Sequence, residues 1–294
     1  MPIYNSKIEL PSGLWIVATP IGNLYDLTAR ACEALKRADL VLCEDTRRTL
    51  ILLKYLNLSK QLVRFDAHSN SYKLCKIIDV LQQGKNIALV TDAGTPCISD
   101  PGANLVNEAH KAGILVTPVA GVSALSTFLS VSGIHENGFC FRGFFPRKPS
   151  EQQKELKQVS ESLFCHFYVW FESPQRIEKT IETITFFSPL AEVVVAKELT
   201  KFHEKLFYGS VENVFNELKQ EIKREGTIGE WCFGAKFVNK ISSTENNLNW
   251  VKTLDCLLKT ELSLSLTVKN VSQYFGISKN TVYEMALKLK NEKK

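Results

Sequence analysis

No apolar run in this sequence approaches the roughly 18 residues that cross a bilayer as a helix, and residues 1–10 lack the basic start and apolar stretch of a secretion signal. An unexported, cytoplasmic protein is the expectation. Cysteine occurs at 32, 43, 75, 97, 140, 165, 232 and 256, without a C-x-x-C pair or a histidine at matching spacing. That pattern argues against zinc and against a disulfide framework, and buried free thiols with no metal are expected instead. TPIGNL (19–24) is not G-x-G-x-x-G, and no G-x-x-x-x-G-K-[ST] occurs, so dinucleotide hydride transfer and P-loop phosphoryl transfer lose their main sequence support. Repeats and low-complexity tracts are missing as well. Aromatic residues fall mostly inside apolar strands, which leaves no visible stacking platform for single-stranded RNA.

What is present is a chain of 294 residues with 45% apolar content, enough for two globular domains and an appendage. The net charge is only +5, but it is unevenly placed. Residues 251–294 carry eight lysines against four acids, which leaves 28 basic and 27 acidic residues in the first 250. A nearly neutral body with a basic tail suits a polyanion partner, and on charge alone suits a solvated lysine-rich terminus equally well.

Short apolar runs at 14–18, 40–43, 87–90 and 114–119 alternate with amphipathic segments at 26–38, 72–83 and 103–112, the pattern of a mainly parallel α/β sheet. Asp26 or Thr28 is placed to cap the first of these helices. From Phe139 the texture becomes richer in strands, with runs at 139–145, 167–171, 192–199, 206–210 and 230–237 and helices at 174–185 and 211–224. A polar helix capped by Ser150 precedes the second of those runs. A second α/β domain with a mixed sheet follows from this order. The polar stretch Ile241 to Asn249 reads as a linker, and residues 268–275 and 279–289 read as two helices joined by Gly276-Ile277-Ser278, a helix-turn-helix plan that any two packed helices would share. The expected domains are 1–136, 137–240 and a tail of 250–294.

Three Gly/Pro-rich loops follow strands: Thr19-Pro20-Ile21-Gly22, Ala93-Gly94-Thr95-Pro96 and Ala120-Gly121-Val122-Ser123-Ala124. Singly each is ordinary turn chemistry. Together, at the carboxyl ends of consecutive strands, they form the loop set with which open α/β sheets build ligand crevices. The ordered elements VATPIGNL, EDTR, TDAGTPCISDPG, GVSA, GFFPRK, FESPQR and AKELTK resemble the tetrapyrrole-methylase superfamily, and within it the branch that acts on small-subunit ribosomal RNA. The likeness covers about residues 14–237 and, more loosely, the tail.

This resemblance implies two α/β domains with S-adenosylmethionine in the cleft between them, and 2′-O-methylation of a cytidine in the decoding region of small-subunit ribosomal RNA. The partner would be that RNA or the ribosomal subunit, with a homodimer as a further candidate assembly. By the same likeness, cofactor contacts fall on Ile21, Thr95, Ile98, Ser123 and Ala124, with Phe171 and Glu172 closing from the second domain. Pro20, Gly22, Ala93, Gly94 and Gly121 complete the set from the crevice loops. The chain departs from the family at Gln175, where a histidine is usual, at His68-Ser69-Asn70 in place of H-N-E, and at Gly229 to Gly234 in place of G-E-M-V-L-I.

Methyl transfer to a ribose hydroxyl is an in-line displacement aided by a proton acceptor and a nearby cation. Asp45, Arg47, Lys197 and Glu198, at strand ends expected to face the cleft, are the candidate catalytic residues. Glu44 and Asp100 stand in reserve, and structural ion pairs are the equal alternative for each. Arg142, Arg147 and Lys148 suit phosphate contacts. Two rival functions remain at this point: a small-molecule corrin or porphyrin methyltransferase, and a nonenzymatic RNA-binding assembly factor.

Overall fold

The computed structural model describes residues 10–66, 69, 71–133, 138–162, 165–237, 243–259 and 263–291, and the chain divides after Val238 into two compact units. In the first unit, β1 (Leu14–Val17), β2 (Leu40–Cys43), β3 (Leu62–Arg64), β4 (Ile87–Leu89) and β5 (Val116–Val119) form a wholly parallel sheet. Its order is β3-β2-β4-β1-β5. The strands are apolar on both faces because both faces are covered. Trp15, Val17, Val41 and Cys43 pack with Ala31, Ala34 and Leu35 of α1 (Ala29–Arg37) and Leu52 and Leu53 of α2 (Thr46–Tyr55). Their alternates Leu14, Leu42, Ile87 and Leu89 pack with Ile77 and Leu81 of α3 (Ser71–Gln82) and Leu105 and Ala109 of α4 (Ala103–Lys111). Thr28 caps α1, its side chain accepting from the Ala31 amide, while Asp26 ends a short 3-10 turn at Leu24–Asp26.

A second sheet of order β6-β7-β10-β8-β9 is built from β6 (Phe139–Phe144), β7 (Phe167–Glu172), β8 (Glu192–Lys197), β9 (Lys205–Ser210) and β10 (Trp231–Lys236). It is mixed, as the strand-rich texture implied: β6 pairs parallel with β7, and the other pairs are antiparallel. One face buries Trp170, Val193, Val195 and Phe233 with Leu156 of α6 (Pro149–Ser160), Ile177 and Ile181 of α7 (Ile177–Phe187) and Leu218 of α8 (Val211–Glu225). On the other face Val169, Val194, Ala196 and Cys232 pack with Phe128 of α5 (Ala124–Val131), the helix that follows β5. Gly234 makes that contact close, since a Cβ there would lie 2.4 Å from the Phe167 ring and 3.1 Å from that of Phe128. α5 thus joins the two sheets into one unit.

In the second unit, α9 (Ser243–Leu257), α10 (Leu264–Phe275) and α11 (Lys279–Asn291) bury Trp250, Leu254, Val268, Val271, Val282 and Ala286 together. Ser263 caps α10, and the Ser278 hydroxyl accepts from the Thr281 amide at the start of α11.

Several sequence expectations need correction. α2 and β3 carried no visible signal: β3 is three half-buried or exposed residues at the sheet edge, and the apolar Leu50 and Ile51 of α2 face solvent. Ser150 does not cap α6, whose first residue is Pro149 and whose N-cap position is Lys148, without a side-chain bond; proline suits that first position because it has no N–H to satisfy. Within the supposed linker, residues 243–249 are helical; its remaining residues, 241 and 242, lie outside the described residues. None of the eight cysteines is in a disulfide, but only Cys43 and Cys232 are buried, and Cys75 and Cys256 are exposed.

Candidate functional site

The crevice loops meet where the order of the parallel sheet reverses. The Thr19 and Gly94 backbones exchange two hydrogen bonds of 2.9 Å, joining the loop after β1 to the loop after β4. The Thr95 hydroxyl donates to the Val122 carbonyl at 2.9 Å, which ties in the loop after β5. Thr19 Oγ1 donates to the Thr91 carbonyl at 3.2 Å. Gly94 adopts φ +81°, and a Cβ there would press on Ile21 Cγ2 at 3.3 Å, so glycine serves both the turn and the close approach.

Beyond these loops lies a cavity of about 400 Å³ walled by both sheets of the first unit. Ile21, Ala93, Gly94, Thr95, Ile98, Ser123 and Ala124 line it from the first sheet and Phe171 and Glu172 from the second. Pro20, Gly22 and Gly121 are not in its wall. Gly22 instead lies beneath the side chains of Thr200 and Lys201, and Gly121 lies against Ala18. Phe144, Ala196 and Leu199 add apolar surface, while Arg48, Asp92, Asp100 and Glu230 supply charge. The sequence reading passed over Asp92 and Arg48, although Asp92 opens the loop after β4 and Arg48 sits in the first turn of α2. The strand-end rule applied to every charged residue would have found Asp92.

The charged floor is organised around Asp92. Its Oδ1 accepts from the Asp45 amide at 3.0 Å, and its Oδ2 lies 3.5 Å from Arg48 Nε. Burial, with Asp92 nearby, pushes the Glu44 carboxyl above its ordinary range. Burial, with Glu44 and Asp92 beside it, pushes Asp100 up to about 6. Glu172 is held differently: its carboxylate accepts from the Ser173 amide at 2.6 Å and the Thr180 hydroxyl at 2.7 Å, and it pairs with Arg176. Arg176 also donates to the Phe145 and Pro146 carbonyls at 3.1 and 3.2 Å, so it staples the loop after β6 to the turn after β7. The FESPQR element therefore works through Arg176, and position 175 needs no imidazole for this.

None of the four candidate catalytic residues lines the cavity. Asp45 caps α2 and Arg47 folds back onto it, Nη2 to Oδ2 at 2.6 Å, with the Arg47 side chain 89% exposed. Hydrogen bonds from Arg47 hold the Asp45 carboxyl down to about 2. Lys197 lies on the face of β8 turned toward α8, where Glu221 and Glu225 receive its ammonium at 3.0 and 2.9 Å. Strand alternation explains the miss: Ala196 faces the cavity, so its neighbour cannot. Glu198 accepts from the Glu230 amide and Lys201 Nζ, each at 2.8 Å, and shapes the loop that carries Leu199. Burial raises its carboxyl, but these bonds outweigh that and leave it below its ordinary range. Arg142 is committed to Glu155 through two bonds of 2.7 Å, and Lys148 lies 3.3 Å from Glu151. His68 and Asn70 lie outside the described residues.

An α/β cleft walled by two such sheets defines a class that the comparisons name. The sequence profile of the Tetrapyrrole (Corrin/Porphyrin) Methylases matches residues 13–214. A Haemophilus influenzae protein named ribosomal RNA small subunit methyltransferase I is 36% identical over 95% of this chain and 98% of its own. One of the same name from Hydrogenobaculum is 43% identical over 73% of this chain and 93% of its own. The crystal structure of diphthine synthase superposes with a TM-score of 0.57 over 76% of this chain and 89% of its own, at 15% identity, a likeness of fold. The chain belongs to the tetrapyrrole methylase family, in the branch whose members carry the name ribosomal RNA small subunit methyltransferase I.

Proposed function

We propose that this protein transfers a methyl group from S-adenosylmethionine to the ribose 2′-oxygen of a cytidine in the decoding region of small-subunit ribosomal RNA, in the cytoplasm. The observation that carries the reading is the cavity of about 400 Å³, within the range of small-molecule cofactor sites, roughly 300–1,000 Å³, in a chain so similar over its length to proteins of that name. The donor set fits the cofactor. Phe171, Ala196 and Leu199 offer apolar surface to a nucleobase, and Asp92 and Asp100 offer carboxylates to a sulfonium and an ammonium. The cofactor supplies an electrophilic methyl group. Ile21, Ala93, Gly94, Thr95, Ile98, Ser123, Ala124, Phe171 and Glu172 hold it, and Pro20, Gly22 and Gly121 shape the loops behind them.

Asp45, Arg47 and Glu198 remain candidates for substrate contacts at the rim; Lys197 serves the fold. Residues 1–136 and 137–240 act as the two α/β domains, and the basic helical tail, residues 250–294, grips RNA. A nonenzymatic factor would not need such a cavity, and the likeness to corrin and porphyrin enzymes of known structure is one of fold alone. Calorimetry with S-adenosylmethionine, followed by mapping of 2′-O-methylated nucleotides in ribosomal RNA from cells with and without this protein, tests the reading. No cofactor binding, or an unchanged methylation map, overturns it.

A further inference from the structure

A second cavity, of about 410 Å³, is lined by Phe65, Asp66, Ser69, Ser71 and Leu74 and by the start of α4. Asp100 lines both cavities. The second wall is more polar than the first. Asn104 and Asn107, one turn apart on α4, are exposed and line it, and residues three apart on a helix share a face. Each amide offers both a donor and an acceptor, the pairing that the edge of a nucleobase requires. Gly102 gives α4 no side-chain cap, so the first amides of that helix stay available to a phosphate. Two carboxylates in this wall do not repel an anion strongly, because Asp66 is paired with Arg64 at 2.9 Å and Glu108 with Lys111 at 2.7 Å.

We propose that the second cavity receives the nucleotide to be methylated, turned out of its strand, and that Asp100, shared by the two cavities, takes the proton of its ribose hydroxyl. The inference rests on the functional reading above and adds to it the acceptor's site and the base. An extruded nucleotide is the usual way for an enzyme to reach a buried position in a stacked strand. The hydroxyl oxygen forms a bond to the methyl carbon as its proton passes to an Asp100 oxygen, and the electron pair of the broken carbon–sulfur bond stays on sulfur. Asp100 suits the role because it lines both cavities and its surroundings favour accepting a proton: burial, with Glu44 and Asp92 as acidic neighbours, raises it to about 6, and Cys97 feels its charge in turn. Arg48 faces the same cavity but lies 3.5 Å from Asp92; Glu172 and Glu230 face it from the second sheet, the first paired with Arg176 and the second 3.1 Å from Lys201. Asp66 and Glu108, paired as above, face the second cavity. An acceptor of this kind must be ionised to work, so turnover falls as the pH drops through its pKa.

The test uses the full chain with small ribosomal subunits from cells that lack it. Asn104→Ala/Asn107→Ala should weaken subunit binding, measured by filter retention, about tenfold or more, with S-adenosylmethionine affinity unchanged by calorimetry. Asp100→Asn should keep subunit affinity and, with S-adenosylmethionine saturating, lose about 10²–10³ in kcat, and the acid limb of its pH profile should disappear; Asp100→Glu should restore part of the rate with a shifted limb. Asparagine has the shape of the neutral form that the site prefers, so this variant should melt no lower than the parent at pH 7, which circular dichroism checks. Parent-like subunit affinity in the double variant, or near-normal turnover with an unchanged pH profile in Asp100→Asn, overturns the proposal while the functional reading stands. If the parent chain binds no S-adenosylmethionine, both fall.

Discussion

Replacing Lys197 with methionine separates a structural lysine from a catalytic one. The side chain is 1% exposed and its ammonium bridges Glu221 and Glu225 at 3.0 and 2.9 Å. Burial pulls this ammonium down, but the two carboxylates outweigh it, and Lys197 titrates above its ordinary value. Removing one side of a buried ion pair costs about 3–5 kcal/mol, since the partner charge is left without compensation. Lys205 reaches the same two carboxylates at 2.6 and 2.8 Å, and Arg224 reaches Glu221 at 2.6 Å. These survivors put the loss near the low end, about 3 kcal/mol, which lowers Tm by roughly 6–12 °C in a chain of this size. Urea and thermal unfolding read the stability, and methylation per folded molecule, well below the transition, should stay within about twofold of the parent on this reasoning. The gap should close in acid. Glu225, held down to about 2 by Lys205 and Lys197, contributes stability that is full above its unfolded pKa and lost as pH falls through the folded one, so parent and variant converge between roughly pH 4.5 and 2. A variant as stable as the parent but without turnover would refute this account and return Lys197 to the chemistry.

Gly94→Ala places a Cβ at φ +81° and 3.3 Å from Ile21; a cost of about 1–2 kcal/mol and at least a tenfold loss of S-adenosylmethionine affinity are expected, by thermal melting and calorimetry, and normal affinity would remove this loop from the site. Asp45→Ala and Arg47→Ala should lower turnover more than cofactor affinity, because their pair lies outside the cavity wall on the α2 cap; unchanged steady-state rates would exclude both. Truncation should be made before Ser243, since a cut at Asn249 would divide α9. The shortened chain should keep its cofactor affinity while binding to subunits weakens and its salt dependence flattens, as loss of lysine–phosphate contacts requires; full RNA affinity per folded molecule would count against a gripping tail.

The fold and much of the site's location were legible in residue order. Parallel strands buried on both faces read as short apolar runs, and a loop at the carboxyl end of such a strand has nowhere to go but the crevice, so residue order places the loops that carry Thr95 and Ser123 there, whereas Phe171 is indicated only by the family resemblance. Signals failed where local pattern carried little information: three residues of edge strand at β3, a helix at α2 whose apolar run Leu50 to Leu53 is half exposed and half buried, and a polar run that becomes the first part of α9. What only the tertiary structure decided was which charged groups see which. Lys197 and Ala196 are neighbours in sequence on opposite faces of a sheet, and the partners that claim the lysine come from α8, more than twenty residues later. Glu44 follows β2 while Asp92 and Asp100 belong to the loop after β4, and the repulsion between the two segments exists only after β2 and β4 are side by side. Apolar periodicity reports burial because burial is a property of one element's face. The ionisation and direction of a side chain depend on what long-range packing brings to it, which no local pattern encodes.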